Sequence, residues 1–292
     1  MSRPLRIEFA GAIYHITSRG NRRAAIFVDS DDRRRMLDVI ALAMARYDAE
    51  LYAYCQMGNH YHLLLRTRRA NLSRIMRHLN GEYARAFNLR HSLDGHLFQR
   101  RFHAVLVDRD AYLMEVCRYV ELNPVRAGLV TRAAEWAWSS FKANTGLAAA
   151  PAWLATTELQ RHVLQRDVVT FEDRQAAAQA YARHVEAGFD ANPWAKGLRN
   201  EIFLGDDDFV GRMQAQVQLP TSECPEIPAT HRGDAPDSRQ RQACAAARAE
   251  AFRRAYVDTG MTMVQIARQA NLSVSRVSRL IARAELASQK DT

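Results

Sequence analysis

The chain has 292 residues, of which 48% are hydrophobic and 9% aromatic, which excludes a disordered protein. Its formal net charge is +9, with 23 Arg and Lys against 14 Asp and Glu in residues 1–146, 8 against 13 in residues 147–235 and 10 against 5 in residues 236–292. The two basic blocks indicate two units that bind polyanions, and four widely spaced cysteines without a CxxC pair argue against a zinc knuckle or a disulfide framework.

Membrane and secretion signals are missing from the sequence. No apolar run approaches the length of a membrane span, and the first residues, Met1 to Arg6, are not followed by the apolar stretch of a secretion signal. The separated cysteines fit a reducing compartment. We therefore expect a soluble, cytoplasmic protein without a membrane partner.

Strands and helices alternate along the first half of the chain. The apolar spacing and the turn residues predict a strand over 11–17, a helix after Asp29, strands over 51–57 and 60–66, a helix from Asn71 or Ser73, a strand over 97–107, and a helix from Asp108 to Asn123 that Pro124 stops. This order, β-α-β-β-α-β-α, is near the split βαβ pattern of a ferredoxin-like α/β sandwich. We predict an α+β fold with a central antiparallel sheet and helices on one face.

The rest of the chain divides by composition. We expect a first domain over 1–146, an acidic helical region and linker over 147–235, and a last domain over 236–292. Residues 152–215 are predicted to be helical. The stretch 218–237 holds four prolines and few apolar residues, which is typical of a linker.

The last domain is predicted to contain a helix-turn-helix. Thr262 can cap a helix over 263–269, Asn271 fits the left-handed turn position, and Ser273 can cap a second helix. The residues of the second helix that would face the major groove of duplex DNA are Ser273, Ser275, Arg276 and Arg279. An ordinary helical hairpin without DNA binding is the alternative.

Two histidines, His60 and His62, are two residues apart on a predicted strand, so their side chains share one face of the sheet. Two imidazoles and a third donor can bind Mg²⁺, Mn²⁺ or a similar ion. A His-x-His pair alone is weak evidence, because many such pairs are exposed or satisfied by hydrogen bonds.

A tyrosine and an amide lie one turn apart on the last predicted helix of the first domain. Tyr119 and Asn123 are at positions i and i+4, so Asn123 can supply an oxygen to a metal while the Tyr119 hydroxyl lies nearby. A phenol with a pKa of about 10 needs a cation beside it to act as a nucleophile. Packing of Tyr119 on the sheet, with Asn123 only ending a helix, explains the residues equally well.

Four segments in this order, GAIYHITSRGN, MGNHYHLLL, GHLFQRRF and RYVELNPVRAGLV, resemble the REP-associated tyrosine transposases of the single-tyrosine HUH superfamily. The resemblance covers roughly residues 6–142. It implies a ferredoxin-like domain that cleaves and rejoins single-stranded DNA through a 5′-phosphotyrosine. It also implies His60 and His62 as metal ligands, Asn123 as the third ligand, Tyr119 as the nucleophile and Mg²⁺ or Mn²⁺ as the cofactor. The segment after residue 146 exceeds such a domain.

Other residues stay open as candidates for the same roles. Tyr112 lies seven residues before Tyr119 and is a second candidate nucleophile, and His15, His96 and His103 are alternative ligands. The candidate contacts to DNA phosphates are basic residues of two regions together with one amide: Arg19, Asn21, Arg22, Arg23, Arg66, Arg68, Arg69, Arg74, Arg77, Arg100 and Arg101.

Three functions compete on these observations. The preferred one is a metal-dependent endonuclease and strand transferase that acts on single-stranded or hairpin DNA such as repetitive extragenic palindromes, as a monomer or a homodimer. The second is a non-catalytic regulator that binds duplex DNA through the helix-turn-helix. The third is an RNA-binding protein, which the lack of an aromatic RNA-binding strand makes the weakest.

Overall fold

The structure is a computed structural model that describes residues 7–189, 192–199, 202–216, 247–256, 261, 263–270, 272 and 274–288. The chain forms two compact units, one of Glu8–Asp206 and one of Met1–Ile7 with Asp207–Thr292. No helix in the part of the chain described is long and apolar enough to cross a membrane.

In its described residues, the larger unit alternates strands and helices, then continues through five further α-helices and ends in two short strands. In chain order its elements are β1 (Ile13–Arg19), α1 (Ser30–Tyr47), β2 (Ala49–Gln56), β3 (His60–Thr67), α2 (Leu72–His91), β4 (His103–Val107), α3 (Arg109–Glu121), α4 (Asn123–Arg126), α5 (Phe141–Asn144), α6 (Thr156–Leu164), α7 (Phe171–Glu186), α8 (Trp194–Gly197), β5 (Leu198–Arg199) and β6 (Phe203–Leu204). The predicted order β-α-β-β-α-β-α is present from β1 to α3.

Two aspartates begin helices as predicted. The Asp29 carboxylate accepts hydrogen bonds from two backbone N–H groups of the first turn of α1, and that of Asp108 accepts one from Asp110 N at the start of α3. Pro124 was predicted to stop the helix, but the chain stays helical through it. It lies in the first turn of α4, where a missing N–H is tolerated, and only Leu122 separates α3 from α4.

One mixed sheet of six strands, in the order β2-β3-β1-β4-β6-β5, organises this unit. The pairs β2–β3, β3–β1 and β1–β4 are antiparallel, so β3 lies between the parallel strands β1 and β2 as a split βαβ pattern requires. β6 joins the other edge and runs parallel to β4. The compact unit therefore continues beyond residue 146, the predicted end of the first domain.

Helices cover both faces of the sheet, not one face as predicted. Tyr61 donates a hydrogen bond to Asn80 of α2, whereas the neighbouring residue His62 has its ring against Tyr119 of α3. Successive residues of a strand point to opposite faces, so α2 and α3 are on opposite sides of β3. The predicted strand over 97–107 is also shorter than expected, because only 103–107 continue the ladder and Phe98 makes an isolated bridge to Gly20.

A buried carboxyl connects α3 to the segments that follow it. Glu121 is fully buried and accepts hydrogen bonds from the Ser140 hydroxyl at 2.5 Å, the Asn144 amide at 2.9 Å and the Tyr181 hydroxyl at 2.8 Å. Burial raises the pKa of Glu121 to about 7, although the three donors act to lower it. The network ties the helix that carries Tyr119 to α5 and α7.

The raised pKa of Glu121 predicts a measurable dependence of stability on pH. The folded state holds this proton more tightly than the unfolded chain, whose Glu pKa is 4.5, so the protonated carboxyl stabilises the fold at low pH. That contribution is lost as the pH rises to about 7. Glu121→Gln stays neutral, so we expect the unfolding free energy of the wild type minus that of the variant to fall by roughly 3 kcal/mol between pH 4.5 and 7.5.

Urea unfolding of both proteins at each pH measures this difference. Titrating groups that the two proteins share contribute equally to both unfolding free energies, so their contributions cancel in the difference. Glu186→Gln, at an exposed position of α7, is the matched control and should give a difference that does not change with pH. A pH-independent difference for Glu121→Gln as well would contradict the prediction.

The smaller unit contains four helices in its described parts: α9 (Asp207–Gln216), α10 (residues 247–256), α11 (Met263–Gln269) and α12 (Val274–Ser288). The last three share an apolar core of Ala255, Tyr256, Ile266, Ala267, Val277 and Ile281. The two helices predicted for the helix-turn-helix are therefore present and packed together. Thr262, Asn271, Ser273 and the linker stretch 218–237 lie outside the described residues.

Candidate active site

The two histidines of β3 meet the last long helix of the first domain on one face of the sheet. The ring centres of His60 and His62 are 5.0 Å apart. The ring centres of His62 and Tyr119 are 6.1 Å apart, and the two rings meet edge to face. The structure thus brings together three of the four side chains that were predicted to form one site.

His62 is held from one side only. Its Nδ1 atom lies 3.0 Å from Nε2 of His15 and 3.3 Å from the hydroxyl of Thr17, both on β1. Its Nε2 atom is buried and has no hydrogen-bond partner among the described residues. A buried polar atom without a partner is costly, and a metal ion is one way in which proteins satisfy such an atom.

His60 has a comparable arrangement at its Nδ1 atom. That atom lies 2.7 Å from the side-chain oxygen of Asn59, and the Asn59 amide nitrogen donates to the backbone oxygen of Arg23. Asn59 therefore links the ring of His60 to the loop that follows β1. Such a link restricts the orientation of the imidazole.

All three imidazoles at this site have lowered pKa values. Burial lowers the pKa of His15 to about 3 and that of His60 to about 4, and it holds the pKa of His62 well below its usual range. Neighbouring charges act in the same direction, with Arg19 contributing at His60 and His62. The rings are therefore neutral near pH 7, which is the form that binds metal ions.

Tyr119 lies between the histidines and two groups from later in the chain. Its ring is 5.9 Å from His15 and 5.3 Å from Trp194 of α8, both in edge-to-face contact, and the guanidinium of Arg126 lies 4.9 Å from its centre. Arg126 also donates to the backbone oxygens of Gly188 and Phe189. The segment after residue 146 thus covers part of the tyrosine.

Asn123 is fixed at the junction of α3 and α4. Its amide nitrogen donates to the backbone oxygens of Tyr119 at 2.9 Å and Val120 at 3.2 Å, which are free at the end of the helix. The nitrogen side of the amide is thereby engaged, and Oδ1 is the atom that remains for a cation. The i, i+4 relation to Tyr119 is present as predicted.

The alternative candidates have other surroundings. The Tyr112 hydroxyl packs so closely on Gly197 that a Cβ there would lie 2.6 Å from it. His15 directs Nε2 at His62, whereas His96 and His103 are exposed. Among the described residues, no group of three or more His, Cys, Asp and Glu side chains is arranged to bind a metal, so any metal site here needs Asn123 or a ligand from DNA.

The predicted phosphate-contacting arginines divide into two sets. Arg66 and Arg68 pair with Glu50 at 3.2 Å, and Arg69 pairs with Asp48 at 3.6 Å. The other set is exposed and forms no ion pair with any described residue: Arg19, Arg22, Arg23, Arg74, Arg77, Arg100 and Arg101. The second set is the better placed for DNA, because its charges are not already compensated.

Backbone hydrogen bonds bring most of the second set to the His60 end of the sheet. Arg19 is opposite His60 in the register of β1 and β3. Asn21 N donates to Leu97 O, and Gln99 N donates to Arg19 O, so the loop after β1 runs beside the loop before β4. We call the residues Arg19, Arg22, Arg23, Arg100 and Arg101 the basic rim.

The loop after β1 has an unusual backbone. Arg22 and Arg23 have φ of 53° and 60°, in the left-handed region that non-glycine residues seldom adopt. A Cβ on Gly20 would lie 2.2 Å from the backbone oxygen of Ala24, so only glycine permits this turn. The bond from Asn59 to Arg23 O holds the strained turn against the candidate ligand His60.

The proposed groove-facing residues of the smaller unit are only partly described. Arg276 and Arg279 are exposed on α12, as DNA contact requires. Ser273 is outside the described residues, and only the backbone of Ser275 is described. Contact with duplex DNA stays a prediction.

Sequence reasoning missed the roles of three neighbours of the site. Asn59 and Arg126 were inside the recognised segments, but nothing in their spacing distinguishes a residue that orients a histidine or contacts a ring. Trp194 had no signal at all, because its contact with Tyr119 depends on how a segment 75 residues away folds back.

Residues 9–123 match the sequence profile of a family described as IS200-like transposases. The expected resemblance is confirmed over this segment. Among solved structures, that of a REP-associated tyrosine transposase bound to a REP hairpin is 19% identical, with a TM-score of 0.44, and the similarity covers 52% of this chain and 89% of that chain. No curated protein matches the chain in sequence.

The contact between Trp194 and Tyr119 predicts a change in chemical reactivity. Trp194→Ala removes the ring that covers one edge of Tyr119, so we expect nitration of Tyr119 by tetranitromethane to rise several-fold. Mass spectrometry of the nitrated peptides measures the change. Trp153→Ala removes a tryptophan that packs on Tyr54 instead, and it should leave Tyr119 as reactive as in the wild type. Equal nitration of Tyr119 in all three proteins would show that Trp194 does not shield it.

Proposed function

We propose that the chain, whose residues 9–123 form an IS200-like transposase segment, is a metal-dependent single-stranded DNA endonuclease and strand transferase with Tyr119 as nucleophile. One observation carries this proposal: the Tyr119 ring lies against His62, a neutral buried imidazole whose Nε2 atom has no hydrogen-bond partner among the described residues. A phenol beside a prepared cation site is the combination that nucleophilic attack on a phosphodiester needs.

The residues present fit a divalent ion. His60 and His62 would bind Mg²⁺ or Mn²⁺ through imidazole nitrogens, and Asn123 would bind it through its amide oxygen. Water and a DNA phosphate would complete the coordination. When bound, the ion polarises the scissile phosphate and neutralises negative charge that develops on it.

Tyr119 performs the covalent step. Its hydroxyl oxygen forms a bond to phosphorus as its proton passes to solvent, and the bond from phosphorus to the 3′ oxygen of the preceding nucleotide breaks. That oxygen takes up a proton and becomes a free 3′-OH. The 5′-phosphotyrosyl ester conserves the energy of the broken bond, so a 3′-OH can attack it and rejoin DNA without ATP.

The basic rim supplies the DNA contact. Its five arginines lie at the end of the sheet that carries His60, and they would bind phosphates on either side of the scissile bond. We propose hairpins of repetitive extragenic palindromes with single-stranded flanks as the substrate, in the cytoplasm. The smaller unit would add a contact to duplex DNA through α12, with the protein acting as a monomer or a homodimer.

A non-catalytic regulator is the second candidate. The exposed Arg276 and Arg279 on α12, which shares an apolar core with α11, favour DNA binding by the smaller unit. A regulator does not need a tyrosine beside a buried histidine whose Nε2 atom lacks a partner among the described residues, which is why the enzyme is preferred.

Replacement of the nucleophile tests the reaction class. The full-length protein is incubated with Mn²⁺ and a labelled hairpin with single-stranded flanks, and denaturing gels are examined for a protease-sensitive DNA adduct. We expect Tyr119→Phe to abolish the adduct, because the phenyl ring packs alike but has no oxygen to form the ester. Tyr112→Phe is the matched control and should keep the adduct.

Two results would contradict the proposed chemistry. An adduct that persists in Tyr119→Phe and disappears in Tyr112→Phe would move the nucleophile to Tyr112. Tight hairpin binding without any adduct, across several repeat sequences and with either metal, would favour the regulator.

The two sets of arginines predict different effects on binding. Arg100→Gln with Arg101→Gln removes two charges of the basic rim, whereas Arg68→Gln with Arg69→Gln removes two that are already paired. We expect the rim variant to reduce the slope of log K against log salt by up to about 1.4, or about 0.7 for each lost contact to single-stranded DNA. The paired variant should change the slope by much less.

Fluorescence anisotropy with the labelled hairpin, from low to high salt, measures both slopes. Equal slopes for the two double variants would show that the basic rim does not carry the phosphate contacts. A larger loss in the paired variant would assign that role to the β2–β3 edge instead.

A further inference from the structure

We propose that His15 is a positioning residue that fixes the tautomer of His62, so that the lone pair of His62 Nε2 points at the bound metal. This inference rests on the metal site of the proposed function. It assigns a role to a buried histidine of β1 that is not itself a ligand.

A neutral imidazole carries one proton, and the nitrogen without the proton is the one that binds a metal. At His62 two atoms that can accept a hydrogen bond lie beside Nδ1, namely His15 Nε2 at 3.0 Å and Thr17 Oγ1 at 3.3 Å. Beside Nε2 there is no hydrogen-bond partner among the described residues. A metal at Nε2 needs the lone pair of that atom, so the proton has to be on Nδ1, where His15 Nε2 can accept it.

The geometry of the two rings suits a hydrogen bond. Their planes differ by 12° and their centres are 5.2 Å apart, so the N–H of His62 can point along the lone pair of His15 Nε2. For this bond, the proton of His15 has to be on its own Nδ1. Both histidines are almost completely buried, so water does not readily replace the bond.

The fold holds His15 in this position from both sides. The register pairs Thr17 with His62 and His15 with Leu64, so His15 lies on the same sheet face, diagonal to His62. Trp194 packs on the other side of the His15 ring, with 4.8 Å between the ring centres. A ring restrained in this way is suited to orient its neighbour.

The other proposed ligand follows the same rule. The Nδ1 atom of His60 lies 2.7 Å from the side-chain oxygen of Asn59, which also favours the tautomer protonated at Nδ1. In both imidazoles, therefore, Nδ1 faces a hydrogen-bond partner from the protein. Second partners of this kind commonly set ligand orientation in metalloproteins, and their loss typically reduces metal affinity 10- to 100-fold.

Two substitutions of His15 separate the hydrogen bond from packing. His15→Gln loses the ring but can place its amide oxygen near the position of Nε2, so it keeps the acceptor. His15→Phe keeps a planar ring against Trp194 and His62 but has no acceptor. Both substitutions are made in a Thr17→Val background, because the Thr17 hydroxyl is a second possible acceptor beside His62 Nδ1. His78→Gln, on α2 at the opposite face of the sheet, is the matched control.

The experiment has two readouts on the full-length protein without DNA. Two-bond ¹H–¹⁵N correlation spectra of histidine-labelled protein show which nitrogen of His62 is protonated, with His62→Gln used to assign its signals. Isothermal titration with Mn²⁺ measures metal affinity. We expect His62 to be protonated at Nδ1 in the wild type and in the His15→Gln and His78→Gln variants. His15→Phe should lose this preference and bind Mn²⁺ with a 10- to 100-fold weaker affinity.

The opposite pattern would overturn the proposal. If His15→Phe keeps the tautomer and the Mn²⁺ affinity of the wild type while His15→Gln loses both, His15 has a packing role only. If His15→Phe does not fold, His15→Leu, which also lacks an acceptor, takes its place. If the wild type binds no Mn²⁺, the proposed function fails, but the spectra still show whether His15 fixes the tautomer of His62. A shift of the proton in the variant without an acceptor supports the role of His15, and no shift contradicts it.

Discussion

The register of β1 against β3 is the constraint on which the site depends. It sets Thr17 opposite His62 and Arg19 opposite His60, and it puts His15 on the same face. A slip of one residue would turn all of β1's side chains to the other face of the sheet. The antiparallel pairs on both sides of these strands fix that register, so the central sheet determines the positions of both proposed histidine ligands, of the two β1 side chains beside His62 and of the first arginine of the basic rim.

The second constraint is the attachment of α3 to segments that follow it. Glu121 is two residues after Tyr119 and holds the end of α3 to α5 and α7 through three donors. Trp194 and the backbone oxygens bound by Arg126 come from the same later part of the chain. The residues that confine Tyr119 thus come from segments far apart in sequence, and some of them lie outside residues 9–123, which match the IS200-like transposase profile.

Much of the architecture was predictable because local signals determine it. Neighbouring residues determine the helix caps at Asp29 and Asp108 and the alternation of side chains along β3. They also determine the i, i+4 spacing of Tyr119 and Asn123. The fifth and sixth strands lie in the stretch 152–215, which was wrongly predicted to be helical throughout. These strands and the second helical layer were not predictable, since they depend on tertiary pairing of short segments. Pro124 misled the prediction because proline is unfavourable inside a helix but suits the first turn of a new one.

The division of the arginines shows how a structure refines a charge pattern. From the sequence, Arg68 and Arg100 are equivalent members of one basic stretch. In the fold, Arg68 shares the Glu50 carboxylate with Arg66. If Arg68 bound a phosphate, the free energy lost by breaking its ion pair with Glu50 would offset part of the binding free energy gained. Arg100 and Arg101 have no such partner among the described residues, and their loop is hydrogen-bonded to the one that carries Arg19. Uncompensated charge therefore collects at the end of the sheet where His60 lies.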